Sequence, residues 1–373
     1  MKILFLCGSF EPGRDGVGDY TRRLAEELLR IGHQVAVAAI DDKHITTEVR
    51  TKLDDNKVMV LRMPTTYSED SRLKHVEKFI QEFNPDWLSL QFVPFSFDPK
   101  GLNFGLAKKL AVVSKGFKWH IMFHELWVGM SEDSSLKESI WRMLQQMLIR
   151  KTLRRLQPGM VHTHTSTYKK YLEKMYDKVM LLPLFSNIHV VHPLVIEKKA
   201  MGKTVAKKSI RLVLFGGIHA GAPIKDFAAE AKAYSAAHGQ EIELVIVGRS
   251  GVEQQRWVEE WKAAGLALTD MGEQSAERVS EILEESFYGI FTTPLALVEK
   301  SGSVAAMREH GIHLLCISRP WVPRGVKAEG NPFGILPYYK GGLSLFLESK
   351  PDFNVLPTLP AVAKQFIADL TNR

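Results

Sequence analysis

The chain opens on a pattern that few folds accommodate. From Met1 to Ile40 an apolar strand runs into the glycine-rich turn Gly13-Arg14-Asp15-Gly16-Val17-Gly18-Asp19-Tyr20. An amphipathic helix with Leu24, Leu28 and Ile31 on one face follows, then a second apolar strand from Gln34 to Ile40. A strand that enters a helix through glycines leaves backbone N–H groups bare at the helix start, where an anionic or phosphorylated ligand can be held. Gly13, Gly16 and Gly18 give G-x-x-G-x-G rather than the dinucleotide fingerprint, which weakens an NAD reading.

Strand and helix signals alternate along nearly the whole chain. After the opening unit come strands near Lys57 to Met63, Asp86 to Phe92, Lys118 to His124, Gly159 to His164 and Lys178 to Leu184. Helices are expected near Asp70 to Phe83, Leu102 to Ser114 and Ser134 to Leu156. Short, continuously apolar strands separated by helices predict a parallel sheet covered on both faces. The stretch from Ser186 to Lys208, rich in His, Pro and Lys without periodicity, reads as a linker. The alternation then restarts with Ile210 to Phe215 and a second glycine turn, Gly216-Gly217-Ile218-His219-Ala220-Gly221, and runs on to the strand His313 to Ser318. The expected organisation is an N-terminal doubly wound domain over 1–190, a linker over 191–208 and a second such domain over 209–355. A final helix over 356–373 would cross back to the first domain. Two such domains are expected to face each other across a cleft at the ends of their strands.

Composition excludes several classes. No apolar run approaches the roughly 20 residues that span a bilayer, and the apolar start at Met1 to Leu6 is too brief for a signal peptide, so a cytoplasmic protein is expected. Cys7 and Cys316, the two cysteines of the 373 residues, both sit in apolar strand-like runs and read as core packing. The net charge of +7 suits phosphates, nucleic acid or an anionic membrane, but the basic residues lack interleaved aromatics, so nucleic acid is disfavoured. Along 137–156 the apolar residues Ile140, Met143, Leu144, Met147 and Leu148 accompany Lys137, Arg142, Arg150, Lys151, Arg154 and Arg155. That helix reads as a core stripe with a wet basic face, or as a peripheral contact with anionic lipid.

Several positions carry chemistry. Lys300-Ser301-Gly302-Ser303 at a helix start offers one cation, two hydroxyls and backbone N–H groups in a single turn, a phosphate cradle without the leading glycines of a Walker loop. Gly16 and Gly18 would bring backbone close to a ligand's phosphates or to a second substrate, with Asp19 capping the helix. Arg249 would project from the edge of the second sheet. His124 ends a strand at the carboxyl edge, where it can hydrogen-bond a substrate or developing charge, and Glu125 can orient it or contact a second substrate. His162 and His164 face the same side of the next strand. His124-Glu125 lacks the x-x-His of a zinc protease, and no Asp-x-Asp pair is present to hold a metal on a diphosphate, so no metal site and no cofactor are expected.

Asp15 to Ala25 followed by Gly32-His33-Gln34-Val35-Ala36-Val37 resembles the opening of the retaining GT-B glycosyltransferases, the group with glycogen and sucrose synthases and many bacterial glycan enzymes. Phe123-His124-Glu125-Leu126-Trp127 is similar to that group's histidine motif. Leu214 to Gly217, Val245 to Arg249 and Glu299 to Gly311 stand where its donor half binds a nucleotide sugar. The resemblance implies a GT-B fold and transfer of a sugar from a nucleotide diphosphate donor, with retention by front-face attack, to a glycan, lipid-linked or small-molecule acceptor. It gives Glu299 the place of the glutamate facing the donor sugar and Lys225 that of a phosphate lysine. The group's second glutamate, which holds the ribose, falls on Met307 or, by the alternative match, on Ala305, while Glu309 substitutes only if the loop is shorter. A nucleotide-sugar epimerase of the same fold and a non-catalytic nucleotide-sugar or glycan-binding protein stay open as alternatives.

Overall fold

A computed structural model describes all residues except 54–57, 195, 197–208, 250, 329–330, 332, 350–356 and 373. The chain divides into two compact units. Met1–Pro183, Pro323–Lys327 and Pro357–Arg373 form the first; Leu184–Val322 and Ala328–Leu356 form the second. The expected linker lies largely outside the described residues.

The first unit is built on β1 (Lys2–Cys7), β2 (Gln34–Asp42), β3 (Val49–Leu53), β4 (Val58–Pro64), β5 (Trp87–Phe92), β6 (Lys118–Phe123), β7 (Met160–Thr163) and β8 (Val179–Leu181), in the order β3-β4-β2-β1-β5-β6-β7-β8. Neighbours are parallel except β3, which runs antiparallel to β4. This departs from the all-parallel expectation. β3 was not legible as a strand because it is an exposed edge whose charged Arg50 and Lys52 face water and replace the apolar pattern of an inner strand.

Helix α1 (Gly16–Arg30) follows β1, and its buried Tyr20, Thr21, Leu24, Ala25 and Leu28 recur at helical spacing over the sheet. It stops before Gly32, which takes a left-handed φ of +92°. Helix α2 (Glu69–Phe83) starts on a Ser68 cap and ends at a left-handed Asn84. Helix α3 (Leu106–Val113) begins four residues later than its apolar pattern implied, because Gly105 at φ +94° precedes it. Helix α4 (Leu136–Leu156) opens with a capping box between Ser135 and Glu138. Helix α5 (Ser166–Glu173) is capped by Thr165. The last helix, Leu359–Thr371, lies on this unit with Val362, Ala363, Phe366 and Leu370 buried and the Phe366 ring 6.1 Å from Phe5. The short segment Pro323–Lys327 is tied to the same unit by a Ser131–Pro323 bridge and by a bond from the Tyr171 hydroxyl to the Arg324 carbonyl.

The second unit carries β9 (Ser209–Phe215), β10 (Glu241–Val247), β11 (Ala267–Asp270), β12 (Tyr288–Phe291), β13 (His313–Cys316) and β14 (Leu336–Pro337) in the all-parallel order β11-β10-β9-β12-β13-β14. Helices α6 (Ile224–His238), α7 (Gln254–Ala263), α8 (Ala276–Glu285), α9 (Gly302–Glu309) and α10 (Leu343–Glu348) pack on it. Alternation along β9 and β10 divides the core in two. Leu212, Leu214, Leu244 and Ile246 meet Phe227, Trp257 and Trp261 on one face, and Val213, Val245 and Val247 meet Leu283, Val304 and Met307 on the other. Both cysteines are buried free thiols in separate sheets, Cys7 ending β1 and Cys316 ending β13.

The loop after β1 is pinned by Asp42, which is fully buried. Its carboxylate accepts from the Ser9 hydroxyl at 3.2 Å, the Phe10 amide at 3.1 Å, the His44 amide at 3.0 Å and Arg62 Nε at 2.7 Å. Burial pushes this carboxyl up, yet the Arg62 bond and the His44 and Phe10 amides outweigh it and hold the pKa below its ordinary value. A depressed folded-state pKa contributes stability above the unfolded value of about 3.9, and that stability is lost as pH falls through the folded value. Asp42→Ala is expected to cost about 2 kcal/mol at pH 7, because Arg62 Nε and the Phe10 and His44 amides lose their acceptor while Arg62 keeps its second partner, Glu11, at 2.6 Å. Urea unfolding at pH 7 and at pH 3 checks this, since the gap between variant and parent should narrow at the lower pH.

Candidate functional site

Each sheet presents its candidate residues at the carboxyl ends of its strands. In the first unit the start of α1 follows β1. Asp15, not Asp19, is the helix cap, accepting from the amides of Val17 and Gly18 at 2.9 Å each. Asp19 instead turns back to accept from the Gly13 amide at 3.0 Å, and burial pushes its carboxyl up against the opposing effects of that bond and of Arg22. Gly18 is a packing glycine: a Cβ there would stand 2.9 Å from the Ser9 carbonyl, and its amide is committed to Asp15. Gly16 is exposed, with nothing within 4 Å of where a Cβ would lie. Two carboxylates at one helix start oppose a phosphate there.

His124 follows β6 and is buried, its amide bonded to the Phe92 carbonyl. Both ring nitrogens are engaged. Nε2 lies 2.9 Å from Gln91 Oε1, and Nδ1 lies 3.1 Å from His164 Nε2, while His164 Nδ1 reaches the Leu182 carbonyl at 2.9 Å. The Tyr20 ring stands edge-on to both imidazoles, with centroids 4.9 and 5.2 Å away. A second pair lies alongside on the same strands: His120 Nε2 is 3.0 Å from His162 Nδ1, and His162 Nε2 is 3.1 Å from Asp369 Oδ2 in the last helix. Ser89 and Gln91 of β5 join the pairs, with Gln91 Nε2 donating to Ser89 Oγ at 2.8 Å and Ser89 Oγ standing 2.8 Å from His120 Nδ1. Burial, and then the neighbouring His162 and His124, press the His120 pKa well below its ordinary value. Glu125 continues into the loop after β6, half-buried. His120, Ser89, Gln91 and Asp369 were not found by sequence reasoning. For the strand residues the available signal was polar side chains at alternate positions among apolar ones, as at Ser89 and Gln91; Asp369, on a helix, had none.

In the second unit the turn after β9 meets the start of α9. Gly216, at φ +89°, donates its amide to the Val247 carbonyl, and a Cβ on it would lie 3.0 Å from Ser303 Cβ. Ser301 is the α9 cap, with its hydroxyl accepting from the Val304 amide and lying 3.2 Å from the Ser303 hydroxyl. Gly302 is exposed and nothing crowds it. Glu299 and Lys300, both half-buried, end the short 3-10 turn Leu295–Lys300 that leads from β12 into this cap. Lys300 is close to His219: burial, and then the Lys300 charge, hold the His219 imidazole below its ordinary range, and the His219 amide donates to Thr292 Oγ1 at 2.8 Å. Arg249 follows Gly248 at the end of β10 and pairs with Glu273 at 2.7 Å, both side chains about half exposed. Lys225 is exposed in the first turn of α6. Arg319, which sequence reasoning missed, packs its chain against Gly221, whose Cβ would lie 3.1 Å from Arg319 Cδ.

Met307 cannot supply a ribose contact, since it is fully buried in the core and would lie 3.1 Å from a Cβ on Gly289. Ala305 is also buried and carries no carboxylate, while Glu309 is half-buried at the far end of α9. Among the described residues no group of three or more His, Cys, Asp or Glu converges as a metal site.

No family model and no curated protein matches the chain. Solved structures do. The structure of Anabaena HepE in complex with UDP and glucose aligns over all of both chains with 14% identity and a TM-score of 0.61. A glycosyltransferase of Rickettsia africae aligns over 99% of this chain and 88% of its own, with 12% identity and a TM-score of 0.54. The lipopolysaccharide outer core galactosyltransferase WaaB in its apo form aligns over 100% and 99%, with 14% identity and a TM-score of 0.55. The chain therefore has the GT-B fold, an α/β architecture of two Rossmann-like parallel-sheet domains.

Gly216→Ala tests the close approach of turn and helix. A left-handed φ and a neighbour at 3.0 Å together predict a loss of about 1–3 kcal/mol, measured by urea unfolding, whereas Gly302→Ala should change stability by under about 1 kcal/mol.

Proposed function

We propose that the protein is a glycosyltransferase that moves a sugar from a nucleotide diphosphate donor to an acceptor hydroxyl, with retention and without a metal. The observation that carries this reading is the bare contact between the Gly216 turn and the Ser301–Ser303 start of α9, at the carboxyl edge of an all-parallel sheet. Such an edge is where doubly wound folds hold nucleotides. The donor diphosphate would lie on the Gly302 and Ser303 amides and the Ser301 and Ser303 hydroxyls, with Lys300 supplying the charge. Lys225 and Arg249 would take outer oxygens. Exposed ion pairs are worth about 0–1 kcal/mol, so a phosphate can draw Arg249 from Glu273 at small cost. HepE was solved with UDP and with UDP-glucose, which makes uridine donors the first to test.

The carboxylates Asp15 and Asp19 favour sugar or acceptor hydroxyls, rather than phosphate, at the α1 start. Glu299 would face the donor sugar, Glu125 and Asp19 would contact sugar or acceptor, and His124 would stabilise the charge that develops in transfer. In front-face attack the anomeric carbon–oxygen bond breaks as the acceptor oxygen approaches the same face. The acceptor proton passes to the leaving phosphate oxygen, so no covalent enzyme nucleophile is needed. The products are the glycoside and the nucleoside diphosphate.

Labelled UDP- and GDP-sugars offered with glycan, lipid-linked and small acceptors test the reading. Absence of both transfer and donor hydrolysis across all of them would overturn it, and proton exchange at the second sugar carbon would favour an epimerase instead. Lys300→Ala should weaken UDP about tenfold and uridine less than about twofold by calorimetry, as expected when one charge-assisted hydrogen bond is lost. His124→Ala should lower kcat by roughly two orders of magnitude with donor affinity nearly unchanged.

The surface of α4 supports a lipid-facing role. The expected core stripe is instead largely exposed. Leu136, Ile140, Met143 and Met147 face water, and the buried side is Gln145, Leu148, Ile149, Thr152, Leu153 and Leu156. The exposed apolar row continues into a groove lined by Arg150, Lys151, Arg154 and Arg155. Apolar side chains flanked by cations match an anionic bilayer surface, where each basic residue contributes about 1 kcal/mol. Vesicles containing phosphatidylglycerol should bind the protein and purely phosphatidylcholine vesicles should not. Met143→Glu with Met147→Glu should reduce binding at least tenfold; binding unaffected by these changes or by salt would reject the contact.

A further inference from the structure

Seven hydrogen bonds of 2.8 to 3.1 Å join eight groups of the first unit in one line: the Leu182 carbonyl, His164, His124, Gln91, Ser89, His120, His162 and Asp369. Both ends can only accept, one being a peptide carbonyl and the other a carboxylate. Inside such a line a neutral imidazole donates once and accepts once, a serine hydroxyl donates once, and a primary amide donates on one side and accepts on the other. Four neutral imidazoles, one hydroxyl and one amide therefore supply six hydrogens for seven links. All seven are made only if the line carries one extra proton. One extra proton balances the Asp369 carboxylate, so the line as a whole is neutral.

The Gln91 amide decides which half holds that proton. With Oε1 toward His124 and Nε2 toward Ser89, donors run from Gln91 through Ser89, His120 and His162 to Asp369 with every imidazole of that half neutral. The extra proton is then on the His124–His164 pair. Turning the amide over reverses the row and moves the proton to the His162–Asp369 end. His120 is no resting place for it, since burial and its two histidine neighbours disfavour its charged form.

We propose that this line is a proton relay that keeps the His124–His164 pair cationic against the remote Asp369 carboxylate, with Gln91 as its two-position element. Asp369 and His162 are then positioning residues that act on the reaction through His124. The inference rests on the reading of His124 as a group used in glycosyl transfer. The surrounding groups are consistent with one mobile charge. From α1, Tyr20 faces both rings of the pair, and burial holds its phenol neutral far above the ordinary range. Phe366 of the last helix covers His120 and His162, and Glu125 adjoins His124 in the chain. Strongly interacting imidazoles titrate as a set, so the measured charge belongs to the pair.

Asp369→Asn is the direct test. Its amide can donate to His162 Nε2, which completes every link without an extra proton and discharges the His124–His164 pair. Nitrogen-15 spectra of the full chain labelled at histidine, assigned by single-histidine substitutions, distinguish imidazolium from neutral rings. At pH 7.5 the wild type should show one imidazolium shared by His124 and His164, Asp369→Glu should retain it, and Asp369→Asn should lose it. Ser89→Ala, which cuts the line at its centre and frees the amide to turn, should lose it as well and serves if Asp369→Asn does not fold. Four neutral rings in the wild type, or an imidazolium indifferent to both substitutions, overturns the relay. In transfer assays the alkaline limb of kcat should move at least one pH unit lower in Asp369→Asn, with donor KM within twofold and the profile restored by Asp369→Glu. An unmoved limb with a lost imidazolium overturns the positioning role. If no donor is turned over at all, the glycosyltransferase reading fails, while the spectra still decide the relay.

Discussion

A parallel strand covered on both faces has no solvent to turn its side chains toward. Its backbone groups are consumed in the ladder, and whatever projects from it must be apolar or must find a partner inside the protein. β9 and β10 obey the first option, feeding alternate residues into two dry cores. β5, β6 and β7 break it with Ser89, Gln91, His120 and His162, and His164 just beyond β7 adds to them; every one of those side chains has found a polar neighbour in the same line. The buried polar row is held as a unit, because a low-dielectric interior penalises any member left unmatched.

Two helix starts carry the candidate residues, α1 after β1 in the first unit and α9 after β12 in the second, and they differ in charge. At α1 the cap is the Asp15 carboxylate, with Asp19 a turn away. At α9 the cap is the Ser301 hydroxyl, with Lys300 immediately before it, and Arg249 and Arg319 lie in the loops after β10 and β13 of the same sheet. Since a helix N-terminus already favours negative charge, adding carboxylates spends that preference and adding hydroxyls keeps it for a ligand. The two helix starts therefore differ in what they offer an anion. Met307, the next candidate along α9, is claimed by the core.

The α4 helix shows how an apolar stripe can mislead. Ile140, Met143 and Met147 have the spacing of a core face, but the polar Gln145 lies on the buried side, where it accepts from the Val128 amide and donates to the Gly101 carbonyl. The helix is anchored through that amide and through Leu148, Ile149 and Leu153, and its apolar row is left in contact with solvent beside a basic groove.

The sequence by itself determined the alternation of strands and helices, the two glycine turns and the strand-end position of His124, because each of these depends on local periodicity or on a residue type that few backbone conformations require. It did not reveal β3, whose exposed charges hide an edge strand, or the late start of α3 behind Gly105, or Asp15 as the cap in place of Asp19. Only the tertiary structure decided which glycine packs and which stays open, that Met307 belongs to the core, and that Asp369, distant in sequence, closes a row begun at Leu182. Those outcomes depend on which atoms meet across strands and helices far apart in the chain, and hydrogen-bond partnership of that kind leaves no periodic trace in the order of residues.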